Sequence, residues 1–280
     1  MAPAGARDNR GVNCTSLILA LGMALGTVPS SYGFAKLTPE TNTGFERYVQ
    51  QAEAEMARNQ QKAMFLQSDR RPDLKPKLRG GEVMVESAVP EDAPNVSGGM
   101  LQDWRGMMFM SGATLEKVKT VLQDYENYKS FYKPKVIDSK RIAQSGDEYD
   151  IVLRLYEKHV LTVVLNTTYH VSYRMLDSDR MSVTSRSTRI AEVKDPKQSY
   201  TEEEPVGNDT GFLWRLNSYW RFEAADGGVY AECRAISLSR DVPLGLGFML
   251  KRFLEKFPKE SMMNTLRGTQ TAVANLKGSS

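Results

Sequence analysis

Apolar and polar side chains alternate along most of the central part of the chain, with the period of two that is typical of half-buried β-strands. The clearest alternation spans residues 211–223, where Phe212, Trp214, Leu216, Trp220 and Phe222 share one face. Further strands are predicted at residues 82–88, 101–110, 135–142, 148–156, 160–173, 181–190 and 229–240, the stretch 101–110 with little alternation. Asp226-Gly227-Gly228 between the last two strands is a hairpin turn signal.

Three segments show the helical period of 3.6 instead. Residues 38–66 begin with Thr38-Pro39, an N-cap followed by proline at the first helical position, and predict an amphipathic helix. Thr114 is the predicted N-cap of a short helix that ends near residue 123. Residues 244–276 predict a long terminal helix, which Pro258 is expected to kink or split.

The order of these elements predicts an α+β fold. A curved antiparallel sheet of about six or seven strands would wrap round the long C-terminal helix and bury the apolar faces of both. The amphipathic helix at 38–66 would be an extra N-terminal element, and residues 68–81 a basic linker containing prolines.

The first 35 residues have the pattern of a secretory signal. Arg7 and Arg10 precede an apolar stretch at residues 15–28, and Gly33-Phe34-Ala35 offers small residues for cleavage. The expected organisation is a signal peptide at 1–35, a helix and linker at 36–81, and one domain at 82–277. An exported protein of the bacterial periplasm or exterior is therefore expected, although retention of the stretch as an anchor stays open.

Composition excludes several classes of function. The 280 residues include 41% hydrophobic and 25% charged side chains, as in ordinary globular proteins. A formal net charge of +3, evenly spread, gives no footprint for nucleic acid. With only two histidines, and with Cys233 alone remaining after cleavage, neither a metal site, a cofactor nor a disulfide is expected. Nucleophile-elbow, phosphate-loop and dinucleotide motifs are missing from the sequence, so no catalytic residue is assigned.

Several stretches resemble the START-like superfamily, which includes polyketide cyclase/dehydrase and coenzyme-Q-binding proteins. They lie at residues 122–128, 131–134, 211–217, 219–222, 236–243 and 258–261. The last two look like a subgroup of exported bacterial proteins of unsettled function. The resemblance covers roughly residues 82–276 and implies a helix-grip fold with a cavity between the sheet and the C-terminal helix.

That implied cavity would hold a lipid, a quinone or a polyketide-like molecule. The residues expected to line it are Leu153, Val163, Leu165, Tyr169, Arg186, Trp214, Leu216, Trp220, Phe253 and Phe257. The aromatic residues of 211–223 are first of all core residues, but in such a fold the core and the cavity share one wall. Arg186 either faces an anionic ligand group or points to solvent.

Three functions remain open from the sequence. The first is a binding or carrier protein for a hydrophobic ligand, with transient membrane contact as a further expectation. The second is a cyclase- or hydratase-type enzyme in which Tyr169 or Arg186 polarises a carbonyl. The third is an interaction module whose 38–66 helix recruits a protein partner while side chains fill the cavity. An open cavity favours the first two, and an exposed apolar stripe on the helix favours the third.

Overall fold

The computed structural model describes residues 35–60, 64–158, 162–241 and 247–276, with the backbone alone for 247–256. The strands are β1 (Ala35–Lys36), β2 (Met84–Ser87), β3 (Gly99–Ser111), β4 (Val136–Ser145), β5 (Glu148–Lys158), β6 (Thr162–Met175), β7 (Arg180–Glu192), β8 (Asn208–Asp209), β9 (Arg215–Ala225) and β10 (Gly228–Arg240). The helices are α1 (Pro39–Arg58), α2 (Gln67–Arg70), α3 (Leu74–Arg79), α4 (Leu115–Gln123), α5 (Tyr128–Phe131) and α6 (Gly247–Asn275).

Eight strands form one antiparallel sheet in the order β2-β3-β10-β9-β7-β6-β5-β4, while β1 pairs separately with β8. Most sequence neighbours in the large sheet are joined as hairpins. The β9–β10 hairpin turns at Asp226 and Gly227, whose φ angles of 52° and 75° give the left-handed backbone that such a turn requires. The sheet is curved and not closed, and α6 lies along its inner face. The α+β helix-grip fold is thereby confirmed, with eight strands rather than six or seven.

The two faces of the sheet bury different clusters because neighbouring residues of a strand point to opposite sides. On the outer face, Tyr219 and Ile236 pack against Phe45, Tyr48 and other apolar residues of α1. The N-cap of α1 is as predicted, because the Thr38 hydroxyl accepts a hydrogen bond from the Thr41 amide at 3.1 Å. The helix is shorter than predicted and ends at Arg58 rather than at 66.

On the inner face, α6 crosses β3 at Gly106. A Cβ atom at that position would lie 2.5 Å from Leu266 Cδ1 and 2.9 Å from Met262 Cγ, so any larger residue would force these side chains of α6 to move. Pro258 does not split α6, which is one continuous helix from Gly247 to Asn275. The short helix α4 packs beside α6, and the Thr114 hydroxyl caps it as predicted by accepting from the Lys117 amide.

Candidate functional site

A cavity of about 250 Å³ lies between the inner face of the sheet and α6. Its apolar walls come from β5, β6, β7 and β9 on one side and from α4 and α6 on the other. The apolar lining includes Leu122, Ile151, Leu153, Leu155, Leu165, Val171, Val183, Leu216, Trp104, Trp220, Phe212, Phe257 and Met262. We refer to this space below as the cavity.

Accessibility along β9 and β10 shows that the cavity is a real gap in the packing. On the outer face, Asn217 and Arg234 are 5% and 4% exposed, because α1 covers them. On the inner face, Leu216, Ser218 and Ala235 are only partly buried although they lie in central strands. The inner side chains therefore border a space that the described side chains do not fill.

One end of the cavity is closed by tyrosines whose hydroxyl groups are already used. Tyr173 and Tyr128 each donate a hydrogen bond to the Leu122 carbonyl, at 2.8 and 2.5 Å. The Tyr125 and Tyr173 hydroxyls are hydrogen-bonded at 2.8 Å. This end, where β5 begins and β6 ends, presents aromatic rings and offers few polar atoms to a ligand.

The opposite end, where β5 and β10 end, carries charge. Lys135 Nζ lies 2.6 Å from Glu157 Oε2, and both side chains are largely buried. Lys135 Nζ also lies over the ring of Phe257, 5.3 Å from its centroid. Ser239 lies at the same end of the cavity, one residue before the end of β10. Its Oγ is buried without a hydrogen-bond partner.

Burial favours the protonated forms of three groups in the cavity wall, Tyr132, Tyr169 and Cys233. Burial raises the pKa of Tyr169 to about 12 and that of Tyr132 to about 12. Burial likewise raises the pKa of the Cys233 thiol, which keeps it from acting as a thiolate nucleophile. These hydroxyl and thiol groups can therefore donate hydrogen bonds to a ligand, but they are poor bases at neutral pH.

Six of the ten residues predicted to line the cavity are brought together there. They are Leu153, Leu165, Tyr169, Leu216, Trp220 and Phe257. They come from β5, β6, β9 and α6, so strands distant in sequence supply adjacent parts of one wall. Contact between these side chains and a ligand stays a prediction.

Arg186 was a candidate for the cavity and lies on the outer face instead. It is paired in register with Asn217, which faces α1, whereas the preceding Ser185 faces inward. The Arg186 guanidinium donates to Glu53 Oε1 of α1 at 2.7 and 3.0 Å, and the Tyr219 hydroxyl donates to the same oxygen at 2.6 Å. Arg186 therefore holds α1 and does not contact a ligand in the cavity.

Trp214 and Val163 are also corrected. The strand β9 begins only at Arg215, so Trp214 does not follow its alternation. Its indole donates to Asp209 Oδ1 at 3.0 Å, and its ring packs in the outer cluster with α1. Val163 is in register with Glu157 and packs with Leu165 and Ile190, but it is not among the residues that line the cavity. The side chain of Phe253 lies outside the described residues.

Sequence reasoning missed several residues of the cavity. Trp104 and Gln102 on β3 were overlooked because that strand has little alternation. For Glu157, the sequence does contain a signal that the residue lines the cavity. It occupies the next inward position after Ile151, Leu153 and Leu155, and a charged residue in that register requires a buried partner.

Among the described residues, no group of three or more His, Cys, Asp or Glu side chains could hold a metal ion. None of the described helices is long and apolar enough to span a membrane.

Comparison with known proteins gives structural matches only. No protein-family profile and no curated protein matches the chain. A STAR-related lipid transfer protein from Xanthomonas axonopodis is 15% identical, with 68% of this chain and 99% of that chain covered and a TM-score of 0.46. Human STARD10 is 15% identical, with coverage of 69% and 70% and a TM-score of 0.46. The Zhui aromatase/cyclase from Streptomyces is 12% identical, with coverage of 62% and 94% and a TM-score of 0.44.

The topology of the described sheet and of α6 is the helix-grip architecture of START-like proteins, so the resemblance noted in the sequence is confirmed at the level of the fold. At these identities and TM-scores, none of the matches carries a function over to this chain. What the cavity does has to be argued from its own residues.

Proposed function

We propose that this protein binds a hydrophobic small molecule in the cavity. The observation that carries the proposal is the incomplete packing of the inner face of β9 and β10 beside a well-packed outer face. Protein interiors are normally packed as densely as organic crystals, with few voids larger than a water molecule. A space of about 250 Å³ is far larger than an ordinary packing defect.

Energetics support occupation of the cavity. At about 24 cal/mol per Å³ of unfilled cavity, a volume of about 250 Å³ costs roughly 6 kcal/mol. That is comparable to the whole net stability of an ordinary domain, about 5–15 kcal/mol. An apolar ligand regains these contacts, and water cannot do so well, because the walls are mostly Leu, Val, Trp and Tyr rings. Lipid, quinone and polyketide-like molecules are the classes that we propose for the ligand.

Native mass spectrometry of the full chain, purified without detergent, tests this proposal. We expect a discrete mass excess that solvent extraction removes. The variant Ala235→Trp places an indole in the cavity and should lack the excess, whereas Ala143→Trp, on the exposed part of β4, should retain it. An excess that is equal in both variants, or bare protein that also fails to bind added apolar ligands, would contradict the proposal.

An enzyme of cyclase or hydratase type is the second candidate. One observation favours it, because Lys135 and Glu157 form a largely buried charged pair that lines the cavity. Arg186 takes no part, and Tyr169 remains a protonated donor that could polarise a carbonyl. Re-incubating the extracted ligand with fresh protein separates the two candidates: an unchanged ligand mass supports a binding protein, and a dehydrated, hydrated or cyclised product supports an enzyme.

The interaction-module alternative loses its basis in α1. Phe45, Tyr48, Val49 and Ala52, the apolar side of that helix, are 0–4% exposed and pack against the sheet. Within the described residues α1 therefore presents no apolar stripe to a protein partner.

We also propose that the protein is exported to the periplasm or beyond, with cleavage near Ala35. The basic residues, the apolar stretch and the small residues at the expected cleavage site support this proposal. N-terminal sequencing of the protein from a periplasmic fraction tests it. A mature start near residue 36 is expected, and an intact Met1 in a cytoplasmic fraction would contradict it.

A further inference from the structure

A second concave surface lies outside the cavity, where β4 begins and the loop after β7 passes over β5. It is an open groove of about 770 Å³. Because Leu155 and Glu157 of β5 face the cavity, the alternating Arg154 and Tyr156 face this groove on the opposite side of the sheet. We refer to it below as the outer groove. Its described lining residues are Lys129, Ser130, Lys133, Pro134, Val136, Ile137, Asp138, Arg154, Tyr156 and Tyr200.

The described lining of the outer groove carries an excess of positive charge. Three of its residues are cations, namely Lys129, Lys133 and Arg154, and Asp138 is its one anion. Asp138 partners Arg154, with Oδ2 at 3.5 Å from Nη1. Lys129 and Lys133 are exposed and form no ion pair with any described residue. Two positive charges therefore border the groove without a counter-ion from the described part of the chain.

Arg154 is held in place while the end of its guanidinium stays available. Its Nε donates to Asn166 Oδ1 at 2.8 Å, and the guanidinium lies over the Tyr200 ring, 5.1 Å from the centroid. Asn166 donates in turn to the Tyr200 carbonyl and to Glu203 Oε1, both at 2.9 Å. The charge of Glu203 is compensated by its ion pair with Arg189. Neither Nη1 nor Nη2 of Arg154 makes a hydrogen bond to a described residue.

This combination of groups matches the chemistry of a phosphate. An oriented guanidinium and nearby ammonium groups are the side chains that recognise phosphate oxygens. A phosphate monoester carries about −1.5 to −2 charges at pH 7 and so balances the two uncompensated lysines. A carboxylate or a phosphodiester, with one charge, would leave one of them uncompensated.

We propose that the outer groove binds a phosphate monoester. Its phosphate lies at Lys129, Lys133 and the terminal nitrogens of Arg154, and its esterified part lies along Tyr156. The monoester is either a soluble molecule or the head group of a lipid. This site goes beyond the function proposed for the cavity, with which the described groove shares only Val136.

Isothermal titration of the full chain with glycerol 3-phosphate, at low salt and about pH 7.5, tests the charge requirement. We expect saturable binding at least about tenfold tighter than that of dimethyl phosphate, a diester with a single charge. Equal or tighter binding of the diester would overturn the proposal.

A pair of double variants locates the site. Lys129→Gln with Lys133→Gln is expected to weaken glycerol 3-phosphate at least about tenfold. The matched control, Lys140→Gln with Arg141→Gln, removes the same charge from an exposed part of β4 outside the groove. It should change the affinity by less than about twofold. Equal losses in the two variants would assign binding to the general field of the protein and contradict the site.

Asp138→Asn gives a prediction of the opposite sign. It removes the one anion of the described lining but keeps an oxygen that can accept from the Ser139 amide, as Asp138 Oδ1 does at 3.0 Å. Binding of glycerol 3-phosphate should become about threefold tighter. An unchanged or weaker affinity would count against a phosphate in this groove.

The pH dependence separates a dianion from a monoanion. A phosphate monoester takes up its second proton with a pKa of about 6, while lysine and arginine keep their charges. Glycerol 3-phosphate should therefore bind at least about threefold more weakly at about pH 5 than at about pH 7.5. Sulfate, a dianion at both values, should bind equally at both. Parallel losses for the two ions would contradict the requirement for a dianion.

Vesicles distinguish the two sources of the phosphate. Phosphatidylcholine vesicles that contain phosphatidate, a lipid monoester, are compared with vesicles of equal surface charge that contain phosphatidylglycerol, a diester. Preferential binding to phosphatidate that the Lys129→Gln, Lys133→Gln variant loses identifies a lipid head group. Binding of glycerol 3-phosphate without that preference identifies a soluble ester. Absence of binding in both arms would overturn the proposal.

The cavity variant keeps this site separate from the function proposed above. Ala235→Trp, which fills the cavity, should bind glycerol 3-phosphate as the unsubstituted chain does. Loss of binding in that variant would place the anion in the cavity and refute the outer groove, whatever native mass spectrometry finds for the apolar ligand.

Discussion

Two arginines buried on the outer face of the sheet are each bonded to oxygen acceptors. Arg234, 4% exposed, donates to Asp103 Oδ2 at 2.7 Å, and the Tyr48 hydroxyl of α1 donates to the same oxygen at 2.7 Å. Arg221 donates to the carbonyls of Met56 and Phe65, both at 2.6 Å. Each cation thereby receives the acceptors that burial requires, and each joins the N-terminal segment to the sheet.

Asp103→Asn is expected to destabilise the protein by about 3–5 kcal/mol, because it keeps the volume but leaves Arg234 buried without its main anionic partner. Urea unfolding followed by circular dichroism measures this. Arg186→Gln is the control, since its pair with Glu53 is 48% and 31% exposed and should be worth about 0–1 kcal/mol. Equal losses in the two variants would show that burial does not decide the contribution of these pairs.

At the scale of single residues, the sequence predicts that a side chain is buried better than it predicts which face of the sheet that side chain points to. Leu153, Leu216 and Trp220 reach the cavity because an unbroken alternation determines their face. Trp214 does not, because β9 starts at Arg215 rather than at residue 211, and the sequence gives no sign of that later start. The partner of Arg186 is Glu53, which is 133 residues away in the chain, and no local pattern can reveal such a pairing.

At the scale of elements, close approach at glycine determines how the helices pack. Gly268 of α6 faces α5, and a Cβ atom there would lie 2.5 Å from the Phe131 carbonyl oxygen and 2.9 Å from Tyr132 Cδ1. The first of these is a backbone atom, which cannot move aside as a flexible side chain can. Tyr132 is held further by a hydrogen bond of 3.1 Å between its hydroxyl and that of Thr269.

Gly268→Ala is therefore expected to destabilise the protein by about 1–3 kcal/mol through overpacking, although alanine favours a helix by about 1 kcal/mol over glycine. The matched control is Gly44→Ala in α1, whose Cβ would meet only the Val96 side chain at 3.3 Å. We expect that change to be neutral or to stabilise by up to about 1 kcal/mol. Thermal unfolding of both variants measures the difference, and stabilisation by Gly268→Ala would refute the packing described for α5 and α6.

The elements themselves were largely predictable. The periods of two and 3.6 identified the strands of the sheet, α1, α4 and α6, and the caps at Thr38 and Thr114 follow from their side-chain chemistry. The end of α1 and the continuity of α6 through Pro258 were not predictable. Both depend on tertiary contacts, which override local propensity.

For the whole molecule, the sequence predicts a sheet wrapped round a helix but not whether the space between them is filled. Large apolar residues on an inward face are equally expected for a dense core and for a ligand cavity. The difference lies in how closely α6 approaches each strand. It is close at Gly106 of β3, and a space remains beside Leu216, Ser218 and Ala235 of β9 and β10.

The three tryptophans give the most direct test of ligand binding in that space. Trp104 and Trp220 line the cavity, whereas Trp214 lies in the outer cluster with its indole bonded to Asp209. The measurement is a titration of the full chain, labelled with ¹⁵N-tryptophan, with nonan-1-ol, following the indole N–H resonances assigned from Trp→Phe variants. Saturable shifts of the Trp104 and Trp220 resonances and a constant Trp214 resonance are expected. Shifts confined to Trp214, or no saturable shift of any indole, would contradict ligand binding in the cavity.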